Sequence, residues 1–310
     1  MRHIKIDIND NDQTLIKFLN KFFPKAPNSL IYKWIRTKKI KVNKKRVEPS
    51  TIIYKDDIVN IFIYDEEIEK WQKEDITVTS KLNLEIAYEN KNIIVIDKPQ
   101  NVLVHAADKK DYGNNVVDYI VDLLIQRKEY IPRLEPTFRP AVVNRIDRNT
   151  MGLVIGAKNR KTVLELNEAI ETDKIKKLYL AIVHGNVDKE MTIKNKLLKD
   201  KKNIVRVSEE GKESKTIIRP IKNKENYSIV EIELQTGRTH QIRTTLKDIC
   251  HPIIGDRKYG KSENTKLYRN QQLVAYKLIF SKNLEVNNHK ELVVESKYKD
   301  YIFNLFNKLD

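Results

Sequence analysis

A single cysteine, Cys250, occurs in 310 residues. No disulfide can form within the chain, and a reducing compartment, the cytoplasm, is the expected setting. Cys250 and its neighbour His251 are two adjacent donors without a second cluster, which does not make a zinc site. Glycine is scarce, with eight residues in all. Gly237, Gly255 and Gly260 stand isolated, and no glycine-rich phosphate loop is present, which argues against ATP- or dinucleotide-dependent chemistry. No apolar run is long enough to span a bilayer, so no membrane association is expected. The first residues, Met1-Arg2-His3-Ile4-Lys5-Ile6, alternate like a strand and lack the apolar stretch of a signal peptide. Internal repeats and low-complexity segments are also missing.

Positive charge is what the chain has in excess. Lys and Arg number 59 against 43 Asp and Glu, a formal charge of +16. Such an excess suits a polyanion such as nucleic acid or an anionic membrane. It is concentrated: residues 14–64 hold twelve Lys and Arg and three acids, over half of the surplus in about a sixth of the length. The same segment is patterned. Leu15, Phe18, Leu19 and Phe22 recur at helical spacing after Asp12, a candidate N-cap. Pro24 and Pro27 break that helix. Leu30, Trp34 and Ile35 mark a second short helix, opened by Asn28 or Ser29. Ile40-Lys41-Val42 alternates as a strand, Asn43-Lys44-Lys45 is a turn, and Ile58 to Phe62 is another strand. Lysines gathered on so small a unit point to phosphate contact.

This basic unit resembles the alpha-L RNA-binding motif first known from ribosomal protein S-four. The resemblance covers about 50 residues. Glycines common in that motif, at the end of the second helix and in the turn, are replaced here by Lys38, Lys39, Lys44 and Lys45. The resemblance implies binding to structured RNA through shape and backbone, with those four lysines in contact. From Asp65 onward the chain is charged and poorly periodic. It reads as a linker over 65–83 between an N-terminal domain (1–64) and a large domain (84–310).

In the large domain, Ile93 to Ile96 reads as a buried strand stopped by Asp97-Lys98-Pro99. Val116 to Leu124 reads as an amphipathic helix, and Leu164, Leu166, Ala169 and Ile170 support another. Strands are expected at 177–184, 203–208, 214–221 and 227–234. Alternating strands with few helices favour an α+β class. The segment richest in chemistry is Asn144-Arg145-Ile146-Asp147-Arg148-Asn149-Thr150-Met151-Gly152-Leu153. It sets one carboxylate between two arginines, then a Thr-x-Gly turn and an apolar run. Its neighbours would hold such an acid ionised, and the turn would let it project into a cleft. Taken alone, Asp147 would equally suit a helix cap or a structural ion pair with Arg145 or Arg148.

Three further segments accompany it: Lys177 to Val183 with Tyr179 among apolar neighbours, Thr236-Gly237-Arg238-Thr239-His240-Gln241-Ile242-Arg243, and His251-Pro252-Ile253-Ile254-Gly255-Asp256. Together with Asp97-Lys98-Pro99 and Val104-His105 they resemble the signature of the RluA/RluD-type RNA pseudouridine synthases, over about Leu84 to Ser281. The resemblance implies a large mixed or antiparallel two-sheet catalytic domain that isomerises uridine in RNA without a cofactor or metal. It implies that Asp147 is the essential carboxylate, acting as nucleophile or as base toward the ribose. Arg243 would keep Asp147 ionised. Tyr179 would stack on the uracil, its hydroxyl a candidate for moving the carbon-bound proton. Arg145 would fill the space left by the extruded base. Arg148, Arg238, His240 and Lys98 are the further candidates for RNA contact, His240 also for orienting its loop.

Departures from the family pattern are Asn144 and Thr245, each where His is common, Met151 for Ser, Cys250 for Gly and Val274 for His. They bear on RNA-side contacts and so on the target. The expected partner is RNA, with large-subunit ribosomal RNA ahead of transfer RNA, and the expected state is a monomer. The rival classes are a non-catalytic RNA-binding assembly factor and a metal-dependent nuclease. The nuclease would want clustered carboxylates, whereas the acids near the motif, Asp147 and Asp256, are isolated in sequence.

Overall fold

The computed structural model describes residues 1–72, 79–132, 137–201, 203–260 and 268–309. The chain divides into two compact units. One comprises 1–79, 120–141 and 158–161; the other comprises 80–119, 142–157 and 162–310. The elements in chain order begin β1 (Arg2–Lys5), β2 (Gln13–Thr14), α1 (Leu15–Phe22), α2 (Asn28–Arg36), β3 (Ile40–Val42), β4 (Ile52–Ile53), β5 (Ile58–Ile61) and α3 (Asp65–Trp71). They continue with β6 (Glu85–Glu89), β7 (Ile93–Lys98), α4 (Val116–Gln126), β8 (Ala141–Val142), β9 (Met151–Ala157), α5 (Arg160–Glu171) and β10 (Ile175–His184). The last are β11 (Met191–Lys199), β12 (Val205–Val207), β13 (Lys212–Lys224), β14 (Tyr227–Leu234), α6 (Gln241–Asp248), β15 (Leu273–Phe280), β16 (Leu292–Glu295) and α7 (Tyr298–Asn307).

In the first unit, α1 buries Leu15, Phe18, Leu19 and Phe22, the predicted face. Its cap differs from the prediction. The helix starts at Leu15 behind Thr14, while Asp12 sits in a left-handed turn at φ 57°. The Phe23 ring meets Trp34 edge-on at 5.1 Å and joins α1 to α2. Helix α2 ends in a Schellman motif: Lys39 N–H donates to the Trp34 carbonyl (2.9 Å) and Lys38 N–H to Ile35 (3.0 Å). This motif needs a left-handed residue just past the cap, normally glycine. Lys38 supplies it at φ 62°. The turn after β3 closes by reciprocal bonds between Val42 and Lys45, with Asn43 at φ 50° and Lys44 at φ 65°. Both central residues of such a two-residue turn are left-handed, again a glycine preference.

The segment read as the start of a linker is a helix. Asp65, Glu66 and Glu67 lie in the first turn of α3, where they complement the positive end of the helix dipole. Ile68 is completely buried in the N-terminal core, with Trp71 packed beside it. Residues 73–78 of the expected linker lie outside the described residues.

The second unit is built on one eleven-stranded sheet of order β12-β11-β13-β14-β10-β15-β9-β7-β6, with β16 beside β15 and β8 beside β9. Strand β7 runs two residues past its expected stop, and all six of its residues are buried. In this unit strands β6, β8, β11, β15 and β16 and helix α7 have no counterpart in the sequence reading, and β9 is foreshadowed only by the apolar run Leu153-Val154-Ile155. The α+β class stands, but the expected pair of sheets is hydrogen-bonded into a single one. The join is narrow. Strands β9 and β15 are parallel and share two register pairs, Met151 with Val274 and Gly152 with Ala275. One side packs Ile93, Val95, Leu153 and Ile155 against α5, and the other packs Leu180, Ile182 and Ile229 against α7.

Gly152 makes that join possible. It lies inside β9 at φ 108°, not in the turn that the Thr-x-Gly spacing suggested. A Cβ at this position would stand 2.2 Å from the Ala275 carbonyl oxygen. Neither backbone can retreat without breaking the pairing. Gly152→Ala should therefore destabilise the fold by about 3 kcal/mol or more, through overpacking and a backbone conformation forbidden to alanine. Urea-unfolding midpoints of the two proteins check this.

Candidate active site

Asp147 sits in the loop between β8 and β9, and three anchors hold that loop. The Thr150 N–H closes a turn onto the Asp147 carbonyl at 3.1 Å. Asn144 donates to the Leu153 carbonyl (3.1 Å) and accepts from the Ile155 N–H (2.7 Å). An amide can donate and accept at once, so this residue, where the family has His, ties the loop to β9. The third anchor is Lys98. Its ammonium donates to the carbonyls of Pro99 (2.8 Å), Val102 (2.9 Å) and Arg148 (2.9 Å). Lys98 is fully buried, so it faces inward to backbone and does not reach out to phosphate as expected. Burial pulls its pKa down to about 7, while the charge of Asp147 pulls it up.

Arg243 comes from the first turn of α6. The turn before it is knotted by buried Gln241. This side chain accepts from Thr236 Oγ1 and the Arg238 N–H and donates to the Lys215 carbonyl and Thr216 Oγ1. Arg243 Nη1 lies 2.7 Å from Asp147 Oδ2. Its Nε and Nη2 grip Asp256 at 2.6 and 2.8 Å. Burial opposes the charge on Arg243, but the two carboxylates override it and raise its pKa. Both described contacts of Asp147, with Arg243 and with His240 at 3.9 Å, are made by Oδ2. Its Oδ1 has no partner among the described residues.

Tyr179 stands on β10, where the pairing with β15 slips by one residue between Leu178 and Tyr179. Such an irregularity re-aims a side chain. Burial first, and then the Asp147 charge, raise the pKa of its hydroxyl. The phenol therefore keeps its proton, and it has no hydrogen-bond partner among the described residues. Arg145, Asp147, Tyr179, Arg238, His240 and Arg243 line one cleft, open to solvent, with an empty volume of about 350 Å³.

The structure thus gathers Asp147, Tyr179 and Arg243, with Arg145, Arg238 and His240 around them. Arg148 is exposed and pairs with Asp111 at 3.8 Å. Lys38, Lys39, Lys44 and Lys45 are exposed on the first unit. Sequence reasoning missed the roles of Asp256, Gln241 and Tyr259, which make no contact with the cleft's reactive atoms but fix the groups that do. Among the described residues, no three His, Cys, Asp or Glu side chains cluster to hold a metal. No helix among them is long and apolar enough to cross a membrane.

The sequence profile of the family described as RNA pseudouridylate synthase matches residues 92–248, which include Asp147, Tyr179 and Arg243. The chain belongs to the RNA pseudouridylate synthase family. A Mycoplasma capricolum relative, described as an uncharacterized RNA pseudouridine synthase, is 34% identical over 93% of this chain and 95% of its own length. A Buchnera aphidicola protein named ribosomal large subunit pseudouridine synthase C is 33% identical over 81% of this chain and 78% of its own. A Borreliella burgdorferi protein named ribosomal large subunit pseudouridine synthase D is 30% identical over 83% and 78%. The fold is shared with human RNA pseudouridylate synthase domain containing 4, at a TM-score of 0.55 and 20% identity over 72% of this chain and 91% of that one. As an RNA pseudouridine synthase the chain is an isomerase, rearranging uridine without gain or loss of atoms.

Proposed function

We propose that this chain isomerises specific uridines of large-subunit ribosomal RNA, with Asp147, Tyr179 and Arg243 as its catalytic residues. The observation that carries the reading is the single hydrogen bond from Arg243 to Asp147 Oδ2, with Oδ1 left free in a cleft walled by Tyr179. A uridine in structured RNA must leave its stack to reach such a cleft, at a cost of a few kcal/mol. The Tyr179 ring then offers a face to the uracil. The free oxygen of Asp147 addresses the ribose, as nucleophile or base. The uracil loses the proton of the carbon that forms the new glycosidic bond and gains one at the nitrogen released, and the Tyr179 hydroxyl can relay it by giving up its own proton as it takes that one. Arg145, exposed at the rim, takes the place of the extruded base, while Arg148 and Arg238 meet phosphate. The chemistry needs neither cofactor nor metal.

The basic first unit is assigned to docking of structured RNA through Lys38, Lys39, Lys44 and Lys45, in a monomer working in the cytoplasm. The left-handed backbone at Lys38 and Lys44 supports this, since glycine would adopt it with less strain and lysine adds only charge. RNA affinity should fall linearly on a logarithmic salt scale, by roughly 10³-fold or more between 50 and 200 mM salt if six or more phosphates are met. Replacing the four lysines by alanine should flatten that slope. Filter binding across a salt series checks both.

Mapping pseudouridines across cellular RNA, with and without the gene, tests the substrate. Loss of specific large-subunit positions is the expected result. Loss confined to transfer RNA would overturn the ribosomal assignment and leave the chemistry intact.

A further inference from the structure

His240 has a left-handed backbone, a region that residues other than glycine occupy only in a minority of cases. It is the N-cap of α6 with φ 53° and ψ 20°, in the left-handed region. Backbone strain of this kind persists where surrounding structure over-determines it, and it clusters at functional sites. The cap itself does not explain it, because the side chain makes no capping hydrogen bond. The imidazole turns instead into the cleft, with Nε2 3.9 Å from Asp147 Oδ2.

The other nitrogen bears on the tautomer. His240 Nδ1 lies 2.8 Å from the Tyr259 hydroxyl. That hydroxyl already accepts the Val205 N–H at 2.9 Å. Tyr259 is buried, with 3% of its surface exposed, so its phenolic proton needs an acceptor within the protein. Val205 N is a donor, and the Thr244 hydroxyl also hydrogen-bonds this phenol and lowers its pKa as a donor does, which leaves His240 Nδ1 as the acceptor that the Nε2–H tautomer requires. A neutral imidazole that accepts at Nδ1 must carry its proton at Nε2. The chain Val205 N–H to Tyr259 O–H to His240 Nδ1 therefore points an Nε2–H at the Asp147 carboxylate.

We propose that His240 is a positioning residue of the isomerisation: a neutral imidazole, locked as its Nε2–H tautomer by Tyr259, that closes onto Asp147 Oδ2 when RNA fills the cleft. With Arg243 Nη1 on the same oxygen, this second donor turns Oδ1 toward the ribose. A neutral donor orients the carboxylate without adding a second full positive charge beside it. Charged groups around the ring are Asp147, Arg243, Lys258 and Asp256. Burial, with Arg243 and Lys258, outweighs the two acids and lowers the His240 pKa from its ordinary 6.5, so the ring is neutral at pH 7.

The proposal rests on the reading of Asp147 as the essential acid, and its test separates the two. Isotope-labelled imidazole NMR of the whole protein reads the tautomer directly. A single Nε2–H form at His240 is expected, and an Nδ1–H form would overturn the lock. Tyr259→Phe should raise the His240 pKa toward the ordinary value, because Nδ1 is then free to take a proton. In single-turnover kinetics, His240→Ala should lower the isomerisation rate on the order of 100-fold, a far larger effect than on RNA affinity, as for a misplaced reacting group. His240→Gln, whose amide N–H reaches a similar place and does not titrate, should recover most of that rate and lose the acid limb of the pH profile. Asp147→Asn decides the underlying reading by itself. An inactive Asp147→Asn beside a fully active His240→Ala would overturn this inference alone.

Discussion

Asp147→Asn should remove isomerisation while leaving the fold and the RNA affinity close to those of the unaltered protein. The amide has the size of the carboxyl group but is neither a nucleophile nor a base. Loss of an essential nucleophile or base lowers turnover by roughly 10⁴-fold or more. Fold and binding should survive because the Asp147 side chain is partly open to solvent and Arg243 keeps its two-pronged grip on Asp256. Tritium release from RNA labelled at C5 of uridine reads the chemistry, and filter binding reads the affinity. Activity of the variant within tenfold of the parent would sink the assignment of Asp147. An unaltered protein that binds RNA but releases no tritium would revive the non-catalytic assembly factor. Strand scission that stops on adding a chelator would revive the nuclease.

Asp256→Ala should cost about 3–5 kcal/mol of stability and also impair catalysis. Asp256 has no exposed surface. Its carboxylate accepts two hydrogen bonds from Arg243 and one each from the N–H groups of Lys258 (2.9 Å) and Tyr259 (3.1 Å). Truncation leaves a buried guanidinium half-paired and two backbone donors unmet, and breaking a buried pair from one side is strongly destabilising. The same change frees Arg243 to rotate, so the Asp147 carboxylate loses its fixed orientation. Burial alone would raise the Asp256 pKa; Arg243 and the two N–H groups override it and set it below the ordinary 3.8. A carboxyl lowered in the folded state is protonated first in the unfolded chain as acid is added. Its stabilisation is thus complete above about pH 4 and is lost as pH falls through the folded value. Urea midpoints measured against pH should show this acid-side loss in the parent and less of it in Asp256→Ala. Equal midpoints at neutral pH would refute the argument.

How much of this was legible beforehand depended on whether a residue's role is local. Helix α1 declares itself because its buried residues repeat at the helix period, and strand β10 because Leu178 to Val183 is an unbroken apolar run, buried throughout. Asp147, Tyr179 and Arg243 were found through motif resemblance, and the structure brings them to one cleft. Asp256 was in view as part of a motif, yet its role depends on a partner thirteen residues earlier that no spacing rule links to it. Lys98 misled for the opposite reason. A lysine after a strand is usually solvated, and only the fold reveals three carbonyls converging on it. Helix α3 was hidden by its acids. Ile68 and Trp71 are three apart, one face of a helix, but too short a pattern to stand out in so charged a stretch. The union of two expected sheets into one hangs on Gly152 and Ala275, a close approach between strands more than a hundred residues apart.

That narrow join divides the reacting groups between two banks. Asp147 is carried on the bank of β7 and β9, Tyr179 and Arg243 on the bank of β10, β14 and β15. Two backbone pairs stitch the banks together beneath the cleft, and the Arg243–Asp147 ion pair bridges them above it. The ion pair therefore ties the two banks at the cleft as well as serving as an electrostatic partner, alongside the Asp97–Ser296 and Thr150–Gln271 hydrogen bonds that also cross between them.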